Sequence, residues 1–195
     1  MKVFSRIGGL VAAVIGIVAS SACVSAGKPA ATGEAARSSL TDLVSMLSGR
    51  FQGTTPGNAL NLDLGTVGAR TGTQFDLFLT TSGRYRDTNV RRAGLLRLET
   101  QGRDVHAAYV PHFDPTVTSL SLSATRFSEE ELRSACSFYF QPSGDGYFGE
   151  TRGSTICAQA MPGAAGKWTI EVEPGSIRVR NVTSGETLRF AKTTK

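Results

Sequence analysis

Residues 128–160 read SEEELRSACSFYFQPSGDGYFGETRGSTICAQA, and the change of period inside this stretch decides the fold. Ser128 followed by Glu131 is a capping box, in which the hydroxyl accepts from the Glu131 amide while the carboxylate reaches back. Glu129, Glu130 and Glu131 fall in the first turn, where the helix dipole favours negative charge. Leu132 supplies an apolar contact, and Ala135-Cys136 end this short helix. The period then becomes two. Phe138 and Phe140 alternate with Ser137, Tyr139 and Gln141; Ser143-Gly144-Asp145-Gly146 turns the chain, and Tyr147-Phe148 start the return strand. Gly153 opens a further strand that carries Cys157.

The same period of two runs through the chain on both sides. Upstream it places Leu60, Leu62 and Leu64 on one face, then Phe75, Leu77 and Leu79, then Leu96 and Leu98, then Val105, Ala107 and Tyr109, then Leu120 and Leu122. Downstream it continues through Trp168, Ile170 and Val172, then Ile177 and Val179, then Leu188 and Phe190. Turn residues separate the runs: Thr71-Gly72, Ser82-Gly83, Gln101-Gly102, Glu173-Pro174-Gly175 and Thr183-Ser184-Gly185. About ten short strands with tight turns predict a mainly β, meandering antiparallel sheet closed as a barrel or stacked as a sandwich. Alternation leaves one face of each strand wet, which excludes a buried parallel sheet. The runs are shorter than the ~9–11 residues of a membrane-spanning strand and carry Arg and Glu, so a soluble barrel is expected rather than an outer-membrane one.

One amphipathic helix precedes the strands. Leu40, Leu43, Val44 and Leu47 fall at helical spacing, Ser38 or Ser39 can cap the start, and Gly49 stands where a C-terminal cap belongs. Residues 1–22 read as a signal peptide: Lys2 and Arg6 are basic, and Ile7 to Ala22 is apolar, uncharged and too short to span a bilayer. Two processing routes fit. In one, Cys23 follows three small residues and is diacylated, which leaves a lipid-anchored periplasmic or outer-membrane protein. In the other, cleavage after Ala26 releases a secreted chain. Residues 23–37 are then a flexible tether and 38–195 the barrel domain. Either route leaves Cys136 and Cys157 as an even pair in an oxidising compartment, where a disulfide is the default. It would close a loop of about 21 residues, worth roughly 3 kcal/mol.

Loss of Lys2 and Arg6 lowers the formal charge from +5 to +3, and the remaining basic residues are scattered, so nucleic acid has no footprint here. The nucleophile-elbow, zincin, P-loop and dinucleotide motifs are absent. His106 and His112 are too few for a zinc site without the cysteines, and no metal is expected. His106 falls on the face opposite Val105, Ala107 and Tyr109, which reads as a solvent-facing histidine. Arg84, Arg86, Arg91, Arg92 and Arg97 form the main basic cluster, and arginine grips carboxylates with bidentate charged hydrogen bonds. The bland alternative is a solvated strand face. Phe75, Phe78, Tyr85, Tyr109, Phe138, Phe140 and Trp168 either line a cavity or fill the core. The candidate ligand-binding set is Arg84, Tyr85, Arg91, Arg92, Arg97 and Tyr109.

The spacing of Leu132, Cys136, Phe148, Gly149, Thr151, Gly153 and Cys157, with the opening LTDLVSMLSGRFQG at 40–53, resembles the CpcT/CpeT family of T-type phycobiliprotein chromophore lyases. The resemblance spans about residues 38–191. It implies a lipocalin-like (calycin) antiparallel barrel with one or two short helices, and a linear tetrapyrrole (bilin) as a possible ligand. The family's Tyr-x-Glu-Gln and Pro-Tyr-Arg-Gln-Arg motifs are replaced by FDLFLTTSGRYRDTNVRRAGLLRL at 75–98, and its Trp-Gly element by SGETLRFAK at 184–192. The expected function is therefore an exported, lipid-anchored barrel binding an apolar acidic small molecule, tetrapyrrole-like or fatty-acid-like. A bilin lyase delivering its chromophore to a protein cysteine is one alternative, and an envelope structural protein with a filled barrel is the other.

Overall fold

The computed structural model describes residues 33–112, 136–151 and 166–194. Among the described residues the order is one helix and ten strands: α1 Gly33–Leu47, β1 Gly49–Gly53, β2 Asn58–Thr71, β3 Gln74–Tyr85, β4 Thr88–Gln101, β5 Asp104–His112, β6 Cys136–Ser143, β7 Gly146–Thr151, β8 Trp168–Glu173, β9 Ser176–Asn181 and β10 Thr187–Lys192. Each strand pairs antiparallel with its sequence neighbour, and β1 also pairs with β10, through Phe51 opposite Lys192 and Gly53 opposite Phe190. The expected barrel of about ten antiparallel strands is what forms. A sandwich would leave open edges, and closure removes them.

The period of two determines which residues face inward. Directly opposite residues of an antiparallel pair share a face. Leu62 therefore stands with Phe51, Leu64 with Leu79, Leu77 with Leu96, Phe138 with Ala107, and Ile170 with Val179. All belong to or pack against one continuous apolar interior. Outward positions such as Arg50, Asn61, Ser82, Arg178 and Arg189 are exposed. Apolar inside and polar outside is the reverse of a membrane barrel. That polarity, rather than strand length, carries the distinction: β2 and β4 run for 14 residues each and β3 for 12, longer than the sequence runs suggest.

The extra length of β3 comes from the position of its turn. Ser82-Gly83 lies inside β3, with Gly83 opposite Leu60 on one side and Val90 on the other, and the chain reverses instead at Arg86-Asp87. Gly83 is not there to turn the chain. Its φ of +123° and its closeness to the Ala59 carbonyl, which any Cβ would strike, are what require glycine. Arg86 takes the left-handed conformation at the real turn, with φ 52°, and its amide donates to Asn58 Oδ1 at 2.9 Å.

Helix α1 starts at Gly33, five residues before the expected domain boundary, because Glu34, Ala35 and Ala36 are good helix formers that extend it past the serines read as caps. Leu40, Leu43, Val44 and Leu47 are buried, as their spacing predicts. The helix touches β4, β5 and β8, and Ser39 O accepts a 2.9 Å hydrogen bond from the Tyr147 hydroxyl. Because β1 follows α1 directly, the helix closes the barrel end that holds the β2–β3, β4–β5, β6–β7 and β8–β9 turns. The β1–β2, β3–β4 and β9–β10 connections lie at the opposite end. The capping-box helix at 128–135, Leu120, Leu122, Cys23 and Cys157 lie outside the described residues; Cys136 itself opens β6 rather than ending a helix.

On the outer wall of β3–β5, Asp76, Ala93, Leu95, Arg97 and Ala108 are buried. Asp76 stands opposite Arg97, which donates from Nε to Oδ1 at 2.9 Å and from Nη2 to Oδ2 at 3.2 Å. A buried bidentate pair is costly to break and of little net value to make. Arg97→Met or Asp76→Leu alone should cost about 3–5 kcal/mol in urea unfolding, while the double variant should recover most of that loss.

Candidate ligand-binding cavity

The barrel interior holds a cavity of about 110 Å³ that opens to solvent. Leu47 of α1 forms part of the floor; Leu60, Leu62, Leu64, Leu79 and Leu96 line one side, and Ile170, Ile177, Val179, Leu188 and Phe190 the other. Phe138 and Phe140 complete the wall. Among the lining residues only Thr81 and Tyr109 carry a polar group. Such a slot favours an apolar ligand with a single polar end.

The polar end is set by β4 and β5. Gly94 and Arg92 continue the inward row of Leu98 and Leu96 toward the open end, and Arg92 lies directly opposite Thr81. A Cβ at Gly94 would stand 2.5 Å from the Tyr109 ring, so glycine lets that ring lie against the β4 backbone. Tyr109 is buried, and its hydroxyl is 3.5 Å from Ala93 O. Burial pushes its pKa up to about 12, partly offset by the positive charge of Arg92. A cation and a hydroxyl thus stand together where the apolar lining meets the opening.

At the rim, Tyr85 donates to Glu186 Oε2 at 2.6 Å, and Arg86 Nη2 reaches the same oxygen at 3.1 Å while its guanidinium lies 5.3 Å from the Tyr85 ring centre. Burial, then the hydrogen bond to Glu186, raise the Tyr85 pKa to about 12. Trp168 stands on the same inner face two residues nearer the opening than Ile170, and its Nε1 is the buried side-chain polar atom that lacks a hydrogen-bond partner among the described residues.

Comparison with protein-family models, curated proteins and solved structures finds no match in any of the three.

The six residues expected to bind ligand are divided by the barrel wall. Tyr109 lines the cavity, Arg92 stands on the same inner face nearer the opening with its charge felt at Tyr109, and Tyr85 is on the inner face at the rim. Arg84 and Arg91 are exposed on the outer face, and Arg97 is buried there against Asp76. Of the aromatics, Tyr109, Phe138 and Phe140 line the cavity, whereas Phe78 faces outward. The roles of Gly94 and Glu186 are not visible in the sequence, because they depend on what stands across the sheet and across the rim.

A tyrosine whose folded pKa is raised holds its proton longer in the native state, so its contribution is complete below about pH 10 and is lost as pH rises toward 12. Urea-unfolding stability should therefore fall between pH 10 and 12, and the fall should be shallower in Tyr85→Phe and in Tyr109→Phe.

Proposed function

We propose that this protein is an exported, lipid-anchored CpcT/CpeT-like barrel that binds an apolar acidic small molecule, with a fatty-acid-like chain the best fit. The observation that carries this reading is the apolar slot ending in Arg92, Thr81 and Tyr109. A hydrocarbon chain fills the slot between the leucines of β2–β4 and the aliphatic side chains of β8–β10. Its carboxylate then lies at the Arg92 guanidinium, where a charge-assisted hydrogen bond inside an apolar wall is worth about 1.5–3 kcal/mol. A cavity of about 110 Å³ favours a slim chain over a broad tetrapyrrole, since drug-sized ligands occupy pockets of ~300–1,000 Å³.

The anchor at Cys23, the signal peptide at 1–22 and a Cys136–Cys157 disulfide belong to the same reading. The disulfide follows from export, since an exported chain meets an oxidising compartment. The bilin-lyase reading rests on the resemblance at 132–157 and 40–53. Its characteristic first-half motif is replaced by the strand that places Arg92 in the barrel.

Displacement of a fluorescent fatty acid by palmitate should report binding, and Arg92→Met should weaken it about 10–100-fold with thermal unfolding unchanged. Biliverdin should give no absorbance change. Binding of biliverdin without palmitate would transfer the cavity to a tetrapyrrole, and binding of neither would make this a filled envelope barrel.

A further inference from the structure

On the outer wall, three strands bring together a carboxylate, an imidazole and a hydroxyl. Glu99 of β4 lies directly opposite His106 of β5, which lies opposite Tyr139 of β6, with Ser137 one outward position along β6. His106 Nδ1 is 3.1 Å from Glu99 Oε1, and His106 Nε2 is 3.1 Å from Ser137 Oγ. The chemistry of the groups orders the protons. An ionised carboxylate only accepts, so Nδ1 of the neutral ring carries the hydrogen and donates to Glu99. Nε2 is then the bare nitrogen, and the Ser137 hydroxyl donates to it. The Tyr139 ring, 4.9 Å from the imidazole centre and tilted by 35°, packs on the ring and limits its rotation.

We propose that Ser137 is a nucleophile activated by His106 as general base, with Glu99 as the positioning residue, and that it accepts acyl groups from activated esters. This is the nucleophile, base and orienter arrangement of hydrolytic triads, here on the outside of a barrel. It is independent of what the interior binds. Ser137 is half-buried and His106 has 15% of its side chain exposed, so the pair is sheltered yet reachable from solvent. The adjoining outer wall, at Arg97 and Ala108, is buried, which lowers the local dielectric around the hydroxyl.

The step balances within the relay. Ser137 Oγ attacks the acyl carbonyl carbon as its proton moves to His106 Nε2, forming the Oγ–C bond. The bond from carbon to the leaving oxygen breaks, and that oxygen takes the proton from Nε2. Water, deprotonated by the same nitrogen, hydrolyses the acyl-serine and restores the hydroxyl. General-base help of this kind is worth about 10²–10⁴ in rate.

The folded full-length chain should be incubated with p-nitrophenyl acetate and, separately, a fluorophosphonate, followed by intact mass and peptide mapping. A single adduct on Ser137 is expected, absent from Ser137→Ala and slowed about 10²–10⁴-fold in His106→Ala. Added imidazole should restore part of the lost rate in His106→Ala, which a purely structural histidine would not allow. Nitrogen NMR of the imidazole should show protonated Nδ1 and bare Nε2, with the tautomers mixed in Glu99→Gln. Circular dichroism confirms that each variant keeps its β signal, and a variant that loses it is replaced by His106→Gln or Glu99→Asp. Adducts elsewhere, no adduct on the folded wild-type chain, or an equal rate on Ser137 without His106 would overturn the assignment.

Discussion

A row of backbone hydrogen bonds with no free end underlies everything else in this molecule. Each of the ten strands pairs on both sides, β1 closing onto β10, so the sheet has a true inside. Closure turns a period of two into a partition. Every second side chain is committed to an apolar interior, and its neighbour to the outer wall. A shift of one residue in any pair would exchange the two sets, so register and core packing specify each other. Helix α1 depends on the same closure, because its leucines bury themselves against the apolar barrel end that it closes.

The partition also separates the chemistry. Arg92 and Arg91 are adjacent in sequence, yet one stands on the inner face opposite Thr81 while the other is exposed outside. Inside, the charge of Arg92 reaches Tyr109 at one end of a slot that is otherwise almost wholly apolar among the described residues. Outside, Asp76 neutralises Arg97, and one row along the wall Glu99, His106 and Ser137 form a relay. The arginines that look like one cluster along the chain are three different environments in space.

Two strand glycines are required by close approach rather than by a turn. At Gly83 a positive φ and the neighbouring Ala59 carbonyl leave no room for a side chain, so β3 continues straight through what reads as a turn. At Gly94 the missing side chain is occupied by the Tyr109 ring, which shapes the polar end of the cavity. Both are close-approach glycines, and composition alone does not separate them from turn glycines.

Much of the architecture was legible in the chain itself. The barrel of about ten strands, its antiparallel order, the alternating faces of the described strands from Leu60 to Phe190, the amphipathic face of α1 and the outward direction of His106 follow from periodicity, because alternation and helical spacing are local properties; β1, whose Gly49 reads as a helix cap, does not. The start of α1, the length of β3 and the position of its turn were not, since local residues permitted more than one solution and packing chose among them. The sites needed the tertiary structure most. The charge of Arg92 reaches Tyr109, and Glu99 meets His106 and Ser137, only through cross-strand register. Register is a property of the whole closed sheet, which no single strand's sequence contains.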